Sequence, residues 1–326
     1  MLMTRTGFKV VAALATVALA GGATWYAVST GVGPLPGPDH CTATVGGYTV
    51  AMTTEQAENA SIIAAVAERR ALPARAISIA IATAYQESEL VNLDRGDRDS
   101  LGLFQQRPSQ GWGTPRQIMD PYYATNAFYD ALVKVDGYQE MAITAAAQEV
   151  QRSAFPDAYA DHEQDGRTIA SAMSGYSDAA FSCVTAAPDV AAQEIGADGL
   201  TSRAEKVRQG LATSFGELPL GGFEAGGVAS GHMAGSAHYE GRAIDAFFRP
   251  ISEQNTRRGW VLAHFLVANA ERLDIAHVIF DDRIWTAGSH SSEGWRGFDP
   301  PGLSADAAAA TRRILEHRDH VHVDVF

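Results

Sequence analysis

The stretch at 235–248, "GSAHYEGRAIDAFF", sets His238 and Asp245 on the approach to a short apolar run, and the chain closes at 317–326 with "HRDHVHVDVF". If "HVHVDVF" is a strand, residues two apart point the same way. His320 and His322 then share one face, with Val321, Val323 and Val325 on the other. A catalytic zinc takes imidazole nitrogens and carboxylate oxygens and keeps one position open. His238, Asp245 and His322 are three such ligands, and Gly231, Gly235 and Gly241 let the loop carrying His238 bend close. Each cluster alone reads more readily as ordinary side chains than as a ligand set. It is the pairing that points to a metal.

Outward from these stretches, 201–326 mixes types. "TSRAEKVRQGLATSF", "GWVLAHFLVANAERL" and "ADAAAATRRILEH" have helical spacing, while "RAIDAFF", "AHVIFDD" and "HVHVDVF" read as strands. This region is α+β. Upstream, residues 53 to about 184 read as helices. Thr53 and Gln56 form a candidate capping box, and Pro73 suits a first helical position. "CTATVGGYTVA" at 41–51 reads as a hairpin turning at Gly46–Gly47. The acidic, Pro188-containing stretch 185–200 reads as an interdomain linker, and the Gly/Pro-rich 29–40 as a stalk.

The N-terminus has Arg5 and Lys9 before an uncharged run of 19 residues, 10–28. That run suits a membrane-spanning anchor with the basic flank inside. A cleaved signal peptide ending at "ALA", 18–20, is the alternative for 1–28. Either reading exports the chain, placing it on the extracytoplasmic face of the envelope or secreting it. An oxidising compartment would let Cys41 and Cys183, the two cysteines, pair; two buried thiols are the alternative. Net charge is −13 and no Lys/Arg stripe offsets it, which argues against a nucleic-acid partner.

A second constellation lies at 84–112, "AYQESELVNLDRGDRDSLGLFQQRPSQGW". Glu87 ends an apolar helix. The negative end of the helix dipole and apolar surroundings both raise a carboxyl pKa. A carboxyl that keeps its proton can donate it to a glycosidic oxygen.

Glu87–Ser88 with Gly102–Leu103–Phe104–Gln105 and Pro108 resembles the Glu-Ser and Gly-Leu-Met-Gln signatures of lytic transglycosylases and goose-type lysozymes, and "GDRD" at 96–99 is similar to a segment between them. That resemblance implies a mostly α lysozyme-like domain over 41–184 that cuts peptidoglycan glycan strands. Glu87 would be the general acid, Asp97 would position water, and Ser88 and Gln105 would line the substrate site. Asp99 is a further water-positioning candidate, and Trp112, Tyr122 and Tyr123 are candidates for stacking on sugar rings or for core packing.

"SAHYEGRAID" with the final His-x-His resembles the D-alanyl-D-alanine peptidases of the VanX and hedgehog-like superfamily. By that resemblance 201–326 is a small α+β zinc-peptidase domain. His238, Asp245 and His322 hold Zn2+, His320 is the catalytic or transition-state-stabilising His and the first candidate base, and Asp319 is the second. Arg242 pairs with a peptide carboxylate or with a surface acid. His232 reads as a solvated spare, and His264, His277 and His290 as structural.

Both halves point to one polymer. The expectation is an α+β chain with an N-terminal membrane helix, acting as an exported bifunctional peptidoglycan hydrolase. Two alternatives stand beside it: a muramidase carrying a non-catalytic metal-binding module, and an envelope metal-binding scaffold without hydrolase activity.

Overall fold

Gly46 and Gly47 decide the first turn. Both have positive φ, which two-residue hairpin turns between right-twisted strands require. They join β1 (His40–Val45) to β2 (Tyr48–Met52) with Val45 opposite Tyr48. The computed structural model describes residues 39–153, 157–304 and 306–326.

Thr53 then caps α1 (Thr54–Arg69) through a reciprocal box with Gln56. Pro73 is the N-cap of α2 (Ala74–Ser88), one position outside the helix the sequence reading gave it. Four helices follow: α3 (Pro115–Ile118), α4 (Pro121–Leu132), α5 (Ile143–Gln151) and α6 (Glu163–Met173). Residues 181–184 depart from the all-helical expectation. They form β3 (Phe181–Val184), which pairs with β1 and sets Cys183 opposite Cys41. The two cysteines form a disulfide across this pair.

Residues 186–197 carry no regular element, yet Arg203 ties them down by donating to the Ala191 carbonyl at 2.7 Å. After α7 (Ser202–Phe215) comes a six-stranded antiparallel sheet: β4 (Leu220–Gly221), β5 (Ala243–Phe247), β6 (Ile275–Phe280), β7 (Arg283–Thr286), β8 (Arg296–Gly297) and β9 (His320–Val325). Its order is β4-β5-β9-β6-β7-β8, so the last strand of the chain lies in the middle. Two helices interrupt the strands, α8 (Glu253–Ala268) and α9 (Ala309–Leu315). Val321, Val323 and Val325 turn into the core. His320, His322 and Asp324 alternate with them on the other face.

Helix α8 is buried from Gly259 to its end at Ala268, as a segment apolar on every side should be. It is covered on one side by the sheet and on the other by the first region. Asn269 donates to Ser61 at 3.1 Å, His264 to the Ala172 carbonyl at 2.9 Å, and Trp285 to the Cys183 carbonyl at 3.1 Å. Residues His40–Phe326 thus form one compact unit.

The fold is mixed α+β, and the expected membrane-spanning helix is not part of it: among the described residues no helix is long and apolar enough to cross a membrane. The buried helices α2 and α8 are apolar because protein covers them, and each is shorter than a span. Residues 10–28, on which that expectation rested, and the stalk up to residue 38 lie outside the described residues.

Candidate functional site

Strand register builds the metal-type site. On one side of β9, Asp245 of β5 lies opposite His322; on the other, His277 of β6 lies opposite Asp324. His238 arrives from a short 3-10 turn, Ala237–Glu240, just before β5. Its Nε2 lies 3.1 Å from His322 Nδ1 and 3.2 Å from Asp245 Oδ1, and the latter two atoms are 3.0 Å apart. The triangle is close to the tetrahedral edge of about 3.4 Å that metal–nitrogen bonds of ~2.1 Å imply.

Proton positions follow from the outer partners. The Gly222 carbonyl can only accept, so His238 Nδ1–H donates to it at 2.7 Å and Nε2 offers a lone pair inward. Asp324 faces His322 Nε2 at 3.4 Å, which leaves Nδ1 for the inside. Two nitrogen lone pairs and a carboxylate oxygen thus converge, an arrangement that needs a cation. A proton can serve. Burial opposes charge on His322, but Asp245 and Asp324 outweigh it and hold its pKa up to about 9. Burial likewise opposes charge on Asp245, and the two imidazoles overcome it to hold the carboxyl far below the usual range. A divalent metal fits the same donors, with outer acceptors orienting both imidazoles. Gly222 has a positive φ, and a Cβ there would collide with the His238 ring.

Beside the triangle, His320 Nε2 lies 4.0 Å from Asp245 Oδ1. Its Nδ1 is 2.7 Å from Asp319 Oδ1, and Asp319 Oδ2 accepts from Arg249 at 2.6 Å. Asp245, Arg249 and His320 line a cavity of about 840 Å3. His232, read as a solvated spare, also lines it and stacks on His238. His232, His238 and Asp245 form a group able to hold a metal ion, with ligand atoms within 4.8 Å of one another.

Residues 196–309 match the VldE C-terminal domain family. The VldE match takes in His238 and Asp245 and covers about a third of the chain. His320 and His322 lie beyond it. No curated protein matches the chain.

Outside the VldE match lies the second site. Glu87 is half-buried in the last turn of α2, and burial raises its pKa against hydrogen bonds from Tyr159 and Gln151. The Tyr159 hydroxyl donates to Glu87 Oε1 at 2.6 Å. Ser88 Oγ donates to the Leu103 carbonyl at 2.7 Å, pinning the 101–106 loop to the helix end. Gln151, which reaches both Glu87 and the Phe104 carbonyl, also lines a groove of about 900 Å3 with Trp112, Lys134 and Glu149.

Other candidates fall elsewhere. Asp97 sits on an exposed loop, its side chain 94% accessible and 3.9 Å from Arg98. Asp99 is taken by Arg107 and Ser109. Gln105 donates to Gly102 and Arg95 carbonyls within its own loop. Tyr122 bonds Ser214 across to α7, a packing role. Arg242 is held by Glu240 and the Val325 carbonyl, but it does line the cavity of the triangle. His264 is fully buried, and His290 pairs with Glu293 at the surface.

The sequence reading passed over His317, Asp324, Tyr159 and Gln151. It took His277 as structural; His277 lies 2.8 Å from Asp324, whose other oxygen faces His322. His317 lies 4.6 Å from His320, ring to ring, and burial lowers its pKa to about 3. The signal for Asp324 was available: it extends the His320–His322 alternation by one more step.

Proposed function

We propose that the protein is an exported metal-dependent hydrolase of peptidoglycan peptides that also cleaves the glycan strand from a second, acid-bearing site. The observation that carries the reading is the triangle of His238 Nε2, Asp245 Oδ1 and His322 Nδ1 with His320 beside it. These three residues would hold a divalent metal, and zinc is the expectation from the ligand types. When bound, such an ion acts as a Lewis acid toward a carbonyl and lowers the pKa of a water.

The chain's own groups do the rest. His320 Nδ1–H is fixed on Asp319, so Nε2 faces the cavity with a lone pair able to take a proton from attacking water. It can return that proton to the leaving amine. Asp319 has both oxygens engaged, which favours an orienting role over that of base. Arg249 locks Asp319 in turn.

At the other site, burial raises the pKa of Glu87, which bonds the groove-lining Gln151. That supports a general acid protonating a glycosidic oxygen. Asp97, solvent-exposed, gives little support to a water-positioning partner, so a single-carboxylate transglycosylation is favoured over hydrolysis. The Cys41–Cys183 disulfide supports an oxidising, extracytoplasmic setting.

The test is a digest. The purified full chain is incubated with peptidoglycan, and the fragments are read by mass spectrometry with and without a strong chelator. Peptide cleavage should vanish with the chelator and in His322→Ala. Glycan cleavage should persist there and vanish in Glu87→Gln. Peptide products surviving the chelator would end the metallopeptidase reading. Unchanged glycan products from Glu87→Gln would end the other.

A further inference from the structure

The loop between Gly222 and Gly235 carries a third imidazole to the triangle. The rings of His232 and His238 stack with centroids 3.9 Å apart and planes 25° from parallel. A ligand nitrogen of His232 lies within 4.8 Å of ligand atoms on His238 and Asp245. The inner three donors are already near tetrahedral spacing, so His232 is placed to add a fourth.

The backbone around His232 is held by one side chain. The Tyr239 hydroxyl accepts from the His232 N–H at 3.1 Å and donates to the His232 carbonyl. Elsewhere the loop is loosely packed. Gly226, Gly231 and Gly235 all have positive φ and open space where a Cβ would sit. The same loop, from Gly231 to Ser236, forms one wall of the cavity. A metal ligand on a segment that also walls the site can change coordination and access together.

We infer that His232 is a removable fourth protein ligand. With the loop inward, His232, His238, Asp245 and His322 close the coordination sphere and the site holds metal without cutting. With the loop outward, one position opens for chemistry. Closed four-ligand sites are structural and open three-ligand sites are catalytic, so this one side chain sets which kind the site is. The inference rests on the metal reading given above.

The test uses Co2+ as a spectroscopic probe in the full chain. Wild type and His232→Ala should each bind one equivalent at the triangle, with different visible absorption, because a water replaces an imidazole. Affinity in His232→Ala should fall by at least the roughly tenfold that loss of a mere outer partner costs. Peptide hydrolysis by the zinc-loaded variant should rise. Tyr239→Phe, which frees the loop and leaves the imidazole in place, should move spectrum and rate the same way by less. Identical spectra and affinities in wild type and His232→Ala would overturn the inference alone. No bound cobalt in either would overturn the metal reading and the inference with it.

Discussion

The Asp319 carboxylate holds His320 in one orientation: Oδ1 is 2.7 Å from Nδ1, and Arg249 secures Oδ2 at 2.6 Å. Asp319→Asn replaces an obligate acceptor with a group that can present a donor to Nδ1. We expect kcat for peptide hydrolysis to drop by about 10²–10⁴, with metal content and KM little changed. Steady-state kinetics with elemental analysis checks this. An unchanged kcat would remove His320 from the base's role.

Asp324 lines the cavity beside His322. Its Oδ1 binds His277 and its Oδ2 faces His322 Nε2. Asp324→Asn should weaken metal binding by about 10–100-fold, measured by competition with a chromophoric chelator. His277→Ala, one bond further out, should cost less. Equal affinities for wild type and Asp324→Asn would show that the orienting contact is idle.

Glu87 must be protonated to act as an acid, so glycan cleavage should fall as pH rises through its raised pKa. Tyr159 donates to the ionised carboxylate and holds that pKa down against burial. Tyr159→Phe removes the donor, so the pKa climbs further and the alkaline limb shifts to higher pH. A pH–rate profile of both proteins reads the shift. Movement toward lower pH would contradict the arrangement.

His264 couples stability to pH. Burial, against its hydrogen bond to Ala172, lowers its pKa from 6.5 to about 4, and its Nε2 has no partner. The unfolded chain binds a proton near 6.5 that the fold refuses until about 4. Stability is therefore lost as pH falls through that window, by about 3 kcal/mol in all. Urea unfolding at several pH values should show this slope in wild type and a flatter one in His264→Leu.

The disulfide joins residues 142 apart in sequence. Chain-entropy reasoning gives it a ceiling of about 5 kcal/mol. Reductant, or Cys41→Ser with Cys183→Ser, should lower the melting temperature. Metal content at the distant triangle should be unaffected at low temperature. A melting curve with and without reductant checks this.

Local signals were readable from sequence wherever chemistry and geometry coincide over a few residues. Gly46–Gly47, the Thr53–Gln56 box and the Val/His alternation of 320–325 each announce one conformation. Strand β3 was not readable, because its partner β1 is far away in the chain and four residues have little periodicity. That His238, Asp245 and His322 could converge was readable, but the place of His277 was not, since nothing short of the β6–β9 register reveals that it faces Asp324. His232 looked like loop surface because its neighbour in space, Tyr239, comes after it. Helices α1 and α8 each declared an apolar surface, yet their burial against elements from the other half is a tertiary fact. The long uncharged run at 10–28 was the strongest hydropathy signal in the chain, and it lies outside the described residues.

The cysteine pair also changes what a protease would leave behind. Residues 94–98 are exposed, and they lie between Cys41 and Cys183. A single cut there would yield two pieces still joined covalently through β1 and β3. The nicked chain would migrate as one species without reductant and as two with it. The triangle of His238, Asp245 and His322, built entirely from residues after the second cysteine, would remain tethered to the Glu87 half.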